Sequence, residues 1–130
     1  MNTANLKKTR DYLAEHPASY SQHAWMHPCG TPACVAGMAV VACGGRLVPE
    51  YSDVGEAYLA SSDTRTLVPD LAQQLLGLSI DESECMFVAD PYPSTRRAPP
   101  TSDEALAMLD WAIEHNEVRW PLRKTGEYQA

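Results

Sequence analysis

Two histidines and two cysteines fall within one twelve-residue stretch, His23-Ala24-Trp25-Met26-His27-Pro28-Cys29-Gly30-Thr31-Pro32-Ala33-Cys34. Imidazole nitrogen and thiolate sulfur are the donors of tetrahedral zinc sites, so His23, His27, Cys29 and Cys34 form a candidate ligand set for that metal. Their spacing, H-x3-H-x-C-x4-C, is not an established zinc pattern, and nearly adjacent ligands rarely all turn inward. The same residues allow thiol chemistry, with Cys29 or Cys34 as nucleophile and His27 or His23 as its base. Cys29 and Cys34 also form a candidate redox pair, although the gap between them is wider than in thioredoxin-like motifs. The leading reading is structural. Cys34 is then a small core residue, Cys29-Gly30 shapes a tight lead into a helix, and the histidines belong to a surface loop.

The element that positions this stretch is a helix expected over residues 32–43. Thr31 is a good N-cap, Pro32 sits at the favoured first position, and Gly44-Gly45 supplies the stop. Ala33 to Cys43 is an uncharged run of 11 residues. A helix that is apolar on every face is buried on every face, so the others should pack around this one. Ala33 and Gly37 would let neighbouring backbones come close. With Thr31 as cap, Cys34 would be the third helical residue, near unpaired N–H groups that favour thiolate. Burial of the thiol opposes this, and the sequence leaves that contest open.

The remaining pattern predicts a mainly α, compact single domain of about five helices around this buried one. Residues 3–16 have Leu6, Thr9/Arg10 and Leu13 at helical spacing, with Thr3 as cap and His16-Pro17 as terminator. Residues 17–30 read as a loop. Residues 46–66 read as an irregular insertion, with a short strand or extended piece at Arg46–Pro49 and a helical turn near 54–59. Leu71, Leu75 and Leu76 mark a helix closed by Gly77. A short helix follows over 81–88, with Ser79 as cap. Thr101 and Glu104 have capping-box spacing and open a helix to His115, with Ala105, Leu106, Leu109, Ala112 and Ile113 as its apolar stripe. Residues 117–130 read as an extended tail. Trp25, Trp111 and Trp120 are candidate pocket liners, with Trp111 the expected core residue. Arg96-Arg97 is a candidate anion grip or a solvated loop. His115 is accounted for by the helix dipole.

Charge narrows the function classes. The formal net charge is −7. Over residues 67–104, Asp70, Asp81, Glu82, Glu84, Asp90, Asp103 and Glu104 face only Arg96 and Arg97, a net −5. Nucleic-acid binding draws most of its affinity from basic groups on phosphate, and no basic run here exceeds two residues, so no nucleic acid is expected. The acidic balance suits solubility or a basic protein partner. Met1-Asn2-Thr3-Ala4-Asn5 has neither the basic start nor the apolar run of a signal peptide, and no apolar run reaches the roughly 20 residues of a membrane span. The expectation is therefore a cytoplasmic protein whose four cysteines are thiols, metal ligands or a redox pair, not a disulfide framework.

Cys29-Gly30-Thr31-Pro32-Ala33-Cys34-Val35-Ala36-Gly37 resembles the C-G-T-x-x-C-x-A-G signature of small, largely uncharacterised bacterial and phage proteins. The similarity takes in His16-Pro17 and Trp25 before the signature and Leu75-Leu76-Gly77-Leu78 through Phe87 after it, roughly residues 5–90. Members often carry Trp or His after the Ala-Gly, where this chain has Met38. The resemblance brings no activity with it. It implies that the Cys-Gly-Thr segment matters to the family fold, and it implies an accessory protein of a phage or mobile element. The resulting expectation is a small accessory or regulatory protein that binds another protein and needs no cofactor. The alternative uses the Cys29/Cys34 segment with His23/His27 for zinc binding or thiol chemistry, and on that reading the chain could be an enzyme.

Overall fold

Leu6, Thr9 and Leu13 recur at helical spacing and form the buried face of α1 (Thr3–Glu15). The cap is Asn2 and not Thr3: its side chain accepts a 3.1 Å hydrogen bond from the Asn5 N–H. Thr9 is fully buried, and its hydroxyl is satisfied by donating to the Asn5 carbonyl at 2.9 Å. The helix ends at His16, as Pro17 requires, and Pro17–Ser19 adds one turn of 3-10 helix. The computed structural model describes residues 1–22, 24, 32–48, 56–59, 66–88, 91 and 99–122.

The uncharged stretch forms α2 (Val35–Ala42), with Val35 to Val40 buried. This helix starts three residues later than its sequence suggests. Ala33 gives its carbonyl to the Ser21 N–H at 2.9 Å, and Cys34 is extended (φ −87°, ψ 174°). That pairing with the preceding segment holds residues 33 and 34 out of the helix. Thr31, the expected cap, lies outside the described residues. After α2, Gly44 takes a left-handed turn at φ 88°.

Between residues 45 and 67 the described residues form a small antiparallel sheet, and the strand or extended piece expected at Arg46–Pro49 is its first strand, while residues 49–55 and 60–65 lie outside the described residues. The sheet consists of β1 (Gly45–Val48), β2 (Glu56–Leu59) and β3 (Thr66–Leu67), in that order. Leu47 pairs with Ala57, and Ala57 with Thr66. The helical turn expected near 54–59 is therefore a strand over 56–59. A short segment takes its structure from the neighbour it can pair with, and β1 offers a full edge.

Leucine spacing then gives α3 (Val68–Leu76), whose Val68, Leu71, Ala72 and Leu76 are buried. Gly77 closes it in the left-handed conformation, φ 64°. Here the chain start comes close: the Asn2 N–H donates to the Leu76 carbonyl at 2.7 Å, and a Cβ on Gly77 would meet the Asn2 nitrogen at 3.0 Å. Gly77→Ala should therefore cost about 2 kcal/mol, from left-handed strain plus crowding of the Met1-Asn2 backbone. Gly44→Ala is the control. It has the same strain but open space within 4 Å, so it should cost only about 1 kcal/mol. Equal urea midpoints for the two variants would show that the close approach at Gly77 carries no energy.

Ser79 opens α4 (Ile80–Ser83) through a capping box with Glu82, and the helix widens into a π-helical turn over Glu84–Val88. Thr101 and Glu104 form the second capping box, opening α5 (Ser102–His115). Five α-helices are present among the described residues, and the fold is mainly α. α2 packs against α1 and α3, and α5 packs against α1.

The tryptophans exchange their expected places. Trp111 is half-buried on α5, stacked on His115 with ring centroids 3.6 Å apart, and its indole N–H donates to Glu117 at 3.0 Å. Trp120, expected in an extended tail, is fully buried in the core. An indole large enough to fill the space between elements reaches inward from irregular chain as well as from a helix.

Candidate functional site

Of the four candidate residues, Cys34 lies within the described structure. His23, His27 and Cys29 lie outside the described residues, as do Trp25 and Arg96-Arg97. The described residues fix how the candidate segment is anchored at both ends. Its outgoing end is Ser21-Gln22 and its returning end is Pro32-Ala33-Cys34, and the Ser21 N–H to Ala33 carbonyl bond ties the two together.

Gln22 adds a second anchor. The Tyr20 hydroxyl donates to Gln22 Oε1 at 2.6 Å, which orients the amide. Gln22 Nε2 then donates to the carbonyls of Met86 at 3.2 Å and Phe87 at 3.5 Å. From the other side, Trp120 Nε1 donates to the Cys85 carbonyl at 3.0 Å. The last four carbonyls of a helix have no partner within it. Side chains from both ends of the molecule satisfy three of them here. The π-helical turn is thus the point where Gln22, α4 and the segment that carries Trp120 are joined. Nothing in the sequence marks Gln22 for this task. Trp120-Pro121, an aromatic residue in a region that otherwise reads as tail, is the signal that could have been followed.

Cys34 stands as the N-cap of α2, not its third residue. Its carbonyl accepts the Met38 N–H at 3.0 Å, while its side chain makes no capping hydrogen bond. The residue is 1% exposed. Burial pushes the thiol up to about 11, and the weaker pull of the Gly37, Ala36 and Cys34 backbone N–H groups does not offset this. The contest between dipole and desolvation is won by desolvation. At neutral pH Cys34 is a protonated, water-excluded thiol, the opposite of the exposed electropositive setting that makes a cysteine reactive.

Cys43 and Cys85 are also free thiols, each half-buried and each pushed upward by burial. For Cys43, Lys8 and the Thr9 hydroxyl pull the other way. His16 and His115, the histidines that are described, stand at helix C-termini. His16 stacks on Tyr12 and places Nδ1 3.0 Å from the Tyr12 carbonyl, and His115 repeats this on Trp111 at 3.3 Å. Among the described residues, no three His, Cys, Asp or Glu side chains gather in a way that could hold a metal ion. No described helix is long and apolar enough to cross a membrane. The chain matches no family model, no curated protein and no solved structure.

Proposed function

We propose that this chain is a small accessory or regulatory protein that acts by binding another protein, in the cytoplasm and in the setting of a phage or mobile element. The observation that carries the reading is the state of Cys34. The described member of the chemistry-bearing set is sealed in the core, with its thiol held protonated by burial. A nucleophile must meet its substrate as an accessible thiolate, and a structural cysteine need not. The net charge of −7 speaks against phosphate backbones as the target. The phage or mobile-element setting rests on the resemblance of Cys29 to Gly37.

Affinity capture with the full chain in lysate of its source cells tests the proposal. The expected result is a stoichiometric protein partner that survives nuclease treatment, with no metal in elemental analysis of the same sample. Zinc near one per chain, with a chelator sharply lowering the melting temperature, would overturn it, because structural metal binding is coupled to folding. So would nucleic-acid binding that weakens steeply with added salt.

A further inference from the structure

Resting on the reading of this chain as a protein-binding module, we infer that its docking surface is the outer face of α4 and its π-helical turn. We further infer that the partner lays a basic amphipathic helix on that face. Ile80 is 75% exposed and Val88 58%, the two most exposed large apolar side chains among the described residues. Between them Glu84 is exposed, while Met86 and Phe87 turn into the core. Ile80, Glu84 and Val88 therefore share one outward face.

The π-helical turn helps to create this alignment. In a regular α-helix each residue advances by about 100°, so residue i+8 would sit about 80° round from residue i. The wider turn over Glu84–Val88 advances less per residue and brings Val88 back toward the line of Ile80. Gln22 and Trp120 hold the end of that turn by its carbonyls, so the face is supported from behind. Eight residues at a rise of about 1.5 Å set the two apolar side chains roughly 12 Å apart, the span of two turns of an opposing helix.

Charge selects the occupant. From residue 67 to residue 88 the chain holds Asp70, Asp81, Glu82 and Glu84 and no Lys, Arg or His. Glu82 is committed to capping through Ser79, which leaves Asp81 and Glu84 as the exposed carboxylates beside Ile80 and Val88. A partner helix with apolar residues two turns apart and Lys or Arg on their flanks matches both features. Its charges would steer association and fix orientation, and its apolar residues would supply the buried contact.

The test uses the full chain, isotope-labelled, titrated with a synthetic helical peptide carrying two Leu two turns apart and Lys on their flanks. Controls are the same composition with the Leu positions scrambled and a version with Glu replacing Lys. The expected result is binding of the first peptide that weakens with added salt, with amide shifts centred on residues 80–88. An Ile80→Asp/Val88→Asp variant should bind at least about tenfold more weakly with an unchanged melting temperature, because both side chains face water. Equal binding of the scrambled peptide, shifts elsewhere, or an unaffected variant would overturn the assignment. Self-association lost in that variant, without peptide binding, would instead name a second copy as the occupant and also overturn it. If the variant still captures the wild-type protein's partner from lysate, protein binding stands and only this surface fails. If the wild type captures no partner and binds no peptide, both readings fail together.

Discussion

Trp120→Ala is expected to destabilise the protein by about 3–5 kcal/mol, the usual cost of removing a fully buried large aromatic side chain. Domains of this size have a total stability of about 5–15 kcal/mol, so the variant should sit near the edge of folding at physiological temperature. Two separable effects act together. The indole fills core volume at 0% exposure, and its N–H satisfies the Cys85 carbonyl at 3.0 Å. Trp120→Phe divides them. It keeps most of the apolar surface and removes the donor, so about 1–3 kcal/mol should be lost. Urea unfolding of the wild type and both variants, with unchanged slope, gives the two terms by difference. A Trp120→Ala loss below about 1 kcal/mol would mean that residues 117–122 lie on the surface as tail.

Much of the helical framework is legible in the residues because its signals are local. The Thr101–Glu104 capping box forms as its spacing requires, and Ser79 caps the helix that it is expected to open. Leu71 and Leu76 face the core as their periodicity requires, and Gly77 ends α3 in the conformation glycine adopts most cheaply. What the residues hide depends on contacts between distant segments. The first turn expected of α2 gives way because Ala33 pairs with Ser21. β2 forms because β1 is beside it, not because Glu56–Leu59 carries a strand pattern of its own. Trp120 is a core residue because its indole fills space between distant elements and the Cys85 carbonyl accepts its N–H. The candidate site was legible as composition only. Cys34 could be named, but its protonation depends on how deeply α2 is buried, which no spacing rule states.

That protonation state makes a pH-dependent claim. The Cys34 thiol ionises near 9.0 in the unfolded chain and is pushed up to about 11 by burial in the folded one. Below pH 9 both states hold the proton, and the group contributes nothing to the pH dependence. Between pH 9 and 11 the unfolded chain releases its proton first, so stability falls as pH rises. Above 11 the loss levels off at about 2–3 kcal/mol, two units at about 1.36 kcal/mol each. Cys43 and Cys85 push the slope in the same direction and remain in a Cys34→Ala variant, so the difference between wild type and variant isolates Cys34. Urea midpoints from pH 8 to 11 should converge as pH rises, with the wild type losing the advantage that its buried sulfur gives it at pH 8. Alkylation reads the same property through rate. At pH 7 the folded protein should hold roughly 100-fold less Cys34 thiolate than the unfolded chain, before any steric protection is counted. Iodoacetamide labelling followed peptide by peptide should therefore leave Cys34 as the slowest of the described cysteines. Rapid labelling of Cys34 in the folded protein, with parallel pH curves for wild type and variant, would return it to the reactive set with His23, His27 and Cys29.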